Sequence, residues 1–127
     1  MNTWATPRQP IGAAKRERDL AEKREAAKFE QLLNLHRLDF WHCTVAQRSQ
    51  PGFPDYVIFG TNWMAFVELK ARSGNTNRAG RVSVAQERYK ASIEAAGAEW
   101  RTWLWPDQME ETNDWLRART HRDVVFT

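Results

Sequence analysis

The segment from residue 52 to residue 70 constrains the fold most, because its pattern is typical of two short strands joined by a tight turn. Asp55 opens a run of strand-forming residues, Tyr56–Phe59, the turn residues Gly60-Thr61-Asn62 follow, and a second run, Met64–Lys70, returns. This order predicts a β-hairpin. The hairpin folds Glu68 back towards Asp55.

Alternation along the second strand determines which side chains share a face of the sheet. Glu68 and Lys70 point to one face, and Val67 and Leu69 point to the other. Two carboxylates and one ammonium group therefore meet at one edge of the sheet. Burying three charges is costly unless they pair with one another or hold a cation.

Oxygen ligands select hard cations. The carboxylates of Asp55 and Glu68, with the carbonyl of Leu69, suit Mg²⁺, for which Mn²⁺ can substitute. Lys70 then polarises an attacking water or holds a phosphate, which predicts phosphodiester hydrolysis. The alternative is a surface hairpin in which Glu68 and Lys70 only pair in solvent.

Five short motifs occur in an order that resembles a known family. They are Gly52-Phe53-Pro54-Asp55, Phe66-Val67-Glu68-Leu69-Lys70, Ser83-Val84-Ala85-Gln86, Ala96-Gly97-Ala98 and Trp105-Pro106. The chain resembles the PD-(D/E)xK nucleases over roughly residues 25–117, and within them the virus-type replication-repair nuclease (VRR-NUC) branch. The family usually has a shorter connection than residues 73–81 between its Glu-x-Lys strand and the following helix.

The resemblance implies a restriction-endonuclease-like core and a metal-dependent DNA nuclease. It implies that Asp55 and Glu68 are metal ligands, Lys70 is the catalytic lysine and Gln86 is an accessory residue of the site. Ser83 and Gln86 also have the spacing of a helix capping box, which explains both residues without catalysis. The two interpretations of Gln86 are compatible.

Nucleases of this family commonly add an acid from the first helix, and three glutamates there are candidates. Glu25 precedes Phe29 by four residues and so extends the apolar stripe of the helix that faces the sheet. Glu30 lies about 100° round the helix from Phe29. In the branch, the usual spacing from this acid to an aromatic residue of the next strand also favours Glu25, with Trp41 as that aromatic residue. Glu30 is the second choice, and each glutamate, Glu22 included, has the alternative of being a solvated surface charge.

The remaining elements predict a single α/β domain, with a central mixed sheet and helices on both faces. Residues 1–12 are predicted to be an irregular arm, and residues 13–127 the domain. Helices are expected at 13–38, 83–96 and 107–119, and strands at 40–46 and 99–105. Asp107 and Glu110 repeat the capping pattern, with a purely structural role.

Aromatic residues are abundant, and seven of them are tryptophan. Trp103 and Trp105 are predicted to share one face of a strand and Trp100 to occupy the other, in a sheet covered on both sides. Trp4 and Trp63 are the candidates for exposure. His42 is expected to be an ordinary strand histidine.

Positive charge is concentrated near the candidate site. The net charge is +3 and the isoelectric point is near 9.4. Between residues 70 and 90 only Glu87 opposes the basic residues. The arginines predicted to contact DNA phosphates are Arg48, Arg72, Arg78 and Arg81. The alternative is a solvated loop and helix face.

Other function classes find no support in the composition. Cys43 is the only cysteine, and the three histidines are scattered, so neither a disulfide nor a zinc-ligand spacing is present. No segment has the length and apolarity of a membrane span or a signal peptide. The expected location is the cytoplasm, that of the host cell if the protein is viral.

The sequence therefore predicts a Mg²⁺-dependent DNA endonuclease. The resemblance implies a structure-specific enzyme that cleaves branched or Holliday-junction-like DNA in phage replication, recombination or repair. The alternatives are an end-processing or single-strand nuclease, and a non-catalytic DNA-binding protein on a nuclease scaffold. Paired cuts at a junction require a homodimer, for which the long N-terminal helix is the expected contact.

Overall fold

A four-stranded mixed sheet forms the centre of the domain. The computed structural model describes residues 9–43, 52–71 and 83–126. The elements are α1 (Gln9–Leu35), β1 (Asp39–His42), β2 (Tyr56–Phe59), β3 (Met64–Ala71), α2 (Val84–Ala95), β4 (Glu99–Trp105) and α3 (Met109–Thr120). The strand order is β1-β2-β3-β4, antiparallel except for the parallel pair β3 and β4. The predicted α/β class and mixed sheet are confirmed.

One face of the sheet packs against α1 and α3 and contains the main core. Phe29 of α1 is fully buried, and its ring lies 5.0 Å from that of Tyr56 and 5.3 Å from that of Trp105, edge to face in both cases. Val67 is buried in the same cluster and Leu69 packs against it. The predicted alternation of β3 is therefore confirmed, because these two residues occupy the face opposite to Glu68 and Lys70.

On the other face of the sheet, α2 packs over β3 and β4 and provides the crossover between these parallel strands. Phe53 joins this helix to the sheet, because its ring makes edge contacts with Phe66 of β3 and Tyr89 of α2. Ile93 and Trp100 are buried on the same side. Helices thus flank both faces, as predicted.

Some helix boundaries differ from those predicted. Helix α1 begins at Gln9, inside the segment predicted to be irregular; Pro10 is tolerated there because the N–H groups of the first turn have no helical partner. The helix ends at Leu35, because Arg37 adopts a left-handed conformation and the Leu38 N–H donates to the Leu33 carbonyl. None of the described helices has the length and apolarity needed to cross a membrane.

The capping prediction for the last helix was wrong. Its N-cap is Gln108, which makes no side-chain cap bond, and the helix starts at Met109 rather than Asp107. The Gln108 side chain instead accepts a hydrogen bond from the Leu104 N–H and donates one to Glu111. The amide ties the helix start to β4, which local spacing could not reveal.

The tryptophans follow the packing prediction with one exception. Trp103 and Trp105 are buried on the α1 side and Trp100 is buried on the α2 side, as expected. Trp63 is not exposed but partly buried, with its ring edge-on to Trp115 at 5.5 Å. It folds over Gly60, where any Cβ atom would collide with the indole. Trp4 lies outside the described residues.

Candidate active site

The hairpin places the two predicted acids opposite each other. Tyr56 pairs with Val67 in the β2–β3 register, so Asp55, which immediately precedes β2, faces Glu68. Their carboxyl groups are close enough for the charge of Glu68 to raise the pKa of Asp55. Both side chains lie on the α2 side of the sheet, because Tyr56 and Val67 point into the core on the other side.

Lys70 completes the group that the sequence predicted. Its Nζ lies 2.9 Å from Oε2 of Glu68, and the Glu68 side chain is only 8% exposed whereas that of Lys70 is 26% exposed. The buried carboxylate is therefore compensated by an ammonium group that still reaches solvent. A charge arranged in this way can meet a phosphate that approaches from outside.

The backbone of Leu69 holds Asp55 in position. The Leu69 N–H donates a 2.9 Å hydrogen bond to Oδ2 of Asp55. In an extended residue the N–H and the C=O point to the same side of the strand, so the Leu69 carbonyl is also directed to the Asp55 side. Two carboxylates and one carbonyl at this edge form an all-oxygen donor set, which fits Mg²⁺ or Mn²⁺ better than a softer metal.

Burial raises the pKa of Asp55 from 3.8 to about 7, and the adjacent negative charge of Glu68 adds to the effect. The Leu69 N–H and the Lys70 ammonium group act in the opposite direction but only partly offset it. Without a metal, the Asp55 carboxyl group therefore keeps its proton up to about pH 7. A bound cation would take the place of that proton.

The stability of the metal-free protein is expected to fall as the pH rises from about 4 to about 7. In this window the folded chain retains a proton on Asp55 that the unfolded chain has already lost, so unfolding is favoured by increasing pH. The pKa shift sets an upper limit of about 4 kcal/mol on the change in the free energy of unfolding. Solvent screening reduces the expected loss to about 1–2 kcal/mol.

Urea unfolding in EDTA at about pH 4.5 and about pH 7.5 measures this loss. The matched variant is Asp55→Asn, which lacks the titrating carboxyl group but keeps all other groups that contribute to the pH dependence. The wild type should lose more stability than the variant over this interval. Equal losses in the two proteins would contradict the raised pKa of Asp55.

The start of α2 lies beside the segment that carries Asp55. Gly52 has a φ of +91°, and a Cβ atom there would come within 2.4–2.7 Å of Ala85. Only glycine therefore permits this close approach. The contact brings Gln86, the next residue of α2, towards the Pro-Asp segment.

Gln86 is buried, and both bonds of the predicted capping box are present. Its Oε1 accepts from the Ser83 N–H at 3.1 Å, and its own N–H donates to Oγ of Ser83 at 3.2 Å. The structural role of Gln86 is therefore confirmed. An accessory role in catalysis stays a prediction.

The two glutamates of α1 have different surroundings. Glu25 is 4% exposed; Oε1 lies 3.4 Å from Nζ of Lys28, and the buried Oε2 has no hydrogen-bond partner among the described residues. Glu30 accepts a 2.7 Å hydrogen bond from the Tyr56 hydroxyl and lies 3.3 Å from Nδ1 of His42. Glu30 is thus engaged in the packing of α1 on the sheet.

Helix α1 runs so that Glu25 lies towards the site end of the sheet. Phe29 contacts Tyr56, the neighbour of Asp55, and Glu25 is one turn further from the helix end that leads into β1. Even so, the described residues contain no group of three or more His, Cys, Asp or Glu side chains able to hold a metal ion. The structure brings together Asp55, Glu68 and Lys70, and the catalytic role of Glu25 stays a prediction.

The cluster of Glu30, Tyr56 and His42 was not anticipated. The His42 ring stacks on the Tyr56 ring at 4.3 Å, and burial together with the Glu30 hydrogen bond raises the pKa of the Tyr56 hydroxyl. The one signal in the sequence is the alternation that points Tyr56 into the core. The cluster fixes the start of β2, next to Asp55.

The arginines predicted to contact DNA, Arg48, Arg72, Arg78 and Arg81, lie outside the described residues. Comparison with known proteins adds no further assignment, because no family model, no curated protein and no solved structure matches the chain. The assignment of a function therefore depends on the chemistry of the site and on the motifs quoted above.

Proposed function

We propose that the protein is a metal-dependent DNA endonuclease built on a restriction-endonuclease-like core. The observation that carries the proposal is the convergence of Asp55, Glu68 and Lys70 on one end of the sheet, with the pKa of Asp55 raised to about 7. A hairpin needs neither a buried carboxyl pair nor an adjacent lysine for its stability. Such an arrangement is more typical of a catalytic site than of a purely structural one.

Asp55, Glu68 and the Leu69 carbonyl would hold Mg²⁺, which supplies Lewis-acid activation of the phosphate and of a water molecule. Lys70 donates hydrogen bonds to the scissile phosphate or to the attacking water. The water would form a bond to phosphorus and give up a proton to solvent, and the bond from phosphorus to the leaving sugar oxygen would break as that oxygen takes up a proton from solvent. Glu68 keeps the Lys70 ammonium group oriented through their 2.9 Å ion pair.

The preferred substrate in this proposal is branched DNA, with the VRR-NUC resemblance as its support. A site that recognises the phosphate backbone needs no base-specific contacts, and the basic residues 70–90 would supply the affinity. Cleavage of a four-way junction needs two cuts related by a twofold axis, so a junction-cleaving form is proposed to be a homodimer. Leu20 of α1 is 62% exposed and marks the proposed contact.

One panel of end-labelled DNA structures tests the function. Four-way junctions, flaps, single strands and blunt duplexes are incubated with Mg²⁺, Mn²⁺ or EDTA. Cleavage with either metal, but not with EDTA, is expected, and it should be fastest on a branched structure. Cleavage confined to ends or single strands would favour the alternative nuclease, and DNA binding without cleavage would favour a non-catalytic protein.

Light scattering on the free protein and on the junction complex tests the homodimer. The expected result is two chains for each junction, and the same measurement on a truncation starting near Glu22 tests whether the first turns of α1 make the contact. A protein that remains monomeric on a junction would exclude paired cuts.

A further inference from the structure

Two aromatic side chains differ from all the others that the structure describes. Trp41 is 55% exposed and Phe59 is 46% exposed, whereas every other Trp, Phe and Tyr within residues 9–43, 52–71 and 83–126 is buried or partly buried. Neither ring contacts another aromatic ring among these residues. Exposed aromatic rings on a sheet surface can serve as a platform on which a flat ring from solution stacks.

Strand geometry places this pair beside the carboxylates. Trp41 pairs with Val57 in the β1–β2 register, so its side chain lies on the same face of the sheet as Asp55 and Phe59, each two residues from Val57. Trp41 is therefore a diagonal neighbour of Asp55 and of Phe59, with about 7–8 Å between the Cα atoms of each pair. The exposed rings and the carboxyl pair form one continuous strip of the sheet surface.

We propose that Trp41 and Phe59 form a stacking surface for unpaired nucleobases adjacent to the bond that is cleaved. The proposal rests on the nuclease function and specifies its substrate. Every nucleobase has a π face that can stack on an indole or phenyl ring, whatever its sequence. A base on Trp41 would belong to a nucleotide about one to two positions from the scissile phosphate, given a rise of about 3.4 Å for each stacked base.

The size of the surface argues for a base rather than a protein partner. An aromatic side chain presents about 150–250 Å², so two half-exposed rings offer about 200 Å². A specific protein interface needs about 800 Å² on each partner. Two rings are sufficient for one or two bases, and they are too small to hold a second copy of the chain.

The consequence for the substrate is that bases next to the cut must be unpaired. In a continuous duplex each base is stacked between its neighbours, and its face is inaccessible to a side chain. At a flap, a loop or an open branch point the bases can leave the stack without this cost. The stacking surface therefore selects DNA with a single-stranded segment at the branch over fully paired DNA.

Fluorescence of 2-aminopurine, an adenine analogue whose emission changes on stacking, provides the direct test. Flap DNA carrying this base next to the branch is titrated with the full chain in EDTA, so that binding is measured without cleavage. The wild type should change the emission. Trp41→Ala should abolish the change and weaken flap binding about tenfold, Phe59→Ala should have a smaller effect, and neither should alter blunt-duplex binding.

Two further variants serve as controls. Trp41→Phe keeps a π face and should retain most of the binding, which separates stacking from a structural effect of the substitution. Val125→Ala removes another apolar side chain, which is 79% exposed and distant in sequence from Trp41 and Phe59. This variant should leave flap binding unchanged. Thermal unfolding of every variant checks that the fold is kept.

The outcomes distinguish this inference from the proposed function. Binding and stacking without metal-dependent cleavage would overturn the function and leave the stacking surface standing. Cleavage by the wild type, with Trp41→Ala equal to it in flap binding and emission, would overturn the stacking surface alone. Loss of binding to flap and duplex alike, accompanied by a change from dimer to monomer in light scattering, would show that the patch is a protein interface.

Discussion

Asp55→Asn and Glu68→Gln should each reduce the rate of DNA cleavage by at least about a thousandfold, because each removes a metal-ligand charge while keeping nearly the same shape. The side-chain amide introduced by Asp55→Asn can still accept a hydrogen bond from the Leu69 N–H, which in the wild type donates to Oδ2 at 2.9 Å. Single-turnover cleavage at saturating protein and Mg²⁺ measures the effect. Folding and DNA binding should persist in both variants.

A matched control separates this effect from a general change of charge. Glu94→Gln alters an exposed acid of α2 by the same chemistry and should cleave at the wild-type rate. Calorimetric titration with Mn²⁺ provides a second readout, since both site variants should bind the cation more weakly than the control. Wild-type cleavage by either site variant would contradict the assignment of the carboxyl pair.

Lys70→Ala should lower the single-turnover rate by about a hundredfold or more without weakening metal binding, because its ammonium group is expected to act on the phosphate or water. Removal of Lys70 leaves Glu68 with more uncompensated negative charge, which favours a bound cation. The rate should therefore stay low when Mg²⁺ is increased. The measurement is a series of single-turnover rates across Mg²⁺ concentration.

Lys23→Ala, at an exposed position of α1, is the matched control for the loss of one positive charge. It should follow the wild-type curve at every Mg²⁺ concentration. Full recovery of Lys70→Ala at high Mg²⁺ would show that the lysine acts only by tuning metal affinity. Thermal unfolding with and without Mn²⁺ checks that the low rate is not a loss of fold.

Local sequence determined the elements that carry the candidate site. The bounds of β2 and β4 were predicted correctly, and β3 extends one residue beyond Lys70 to Ala71. A short turn fixes the register of a hairpin, and alternation then fixes which side chains share a face. These are interactions between near neighbours, so the residues themselves were sufficient to place Asp55 opposite Glu68.

Short-range patterns also had limits. Ser83 and Gln86 formed the capping box that their spacing predicted, whereas the N-cap of the last helix is Gln108, whose side chain bonds to the backbone of β4. Trp63 was expected to be exposed near its turn, and packing against Trp115 partly buries it. In both cases a contact from another element of the fold prevailed over the local pattern.

The sequence by itself thus determined the hairpin, the facing acids and the lysine beside them, because turn chemistry and strand alternation act over a few residues. Only the tertiary structure decided the electrostatics of the site, since the pKa of Asp55 depends on burial and on the close approach of Glu68. Docking of α2 against Gly52 and the engagement of Glu30 by Tyr56 were decided in the same way. Each needs surfaces that meet only when the whole chain has folded.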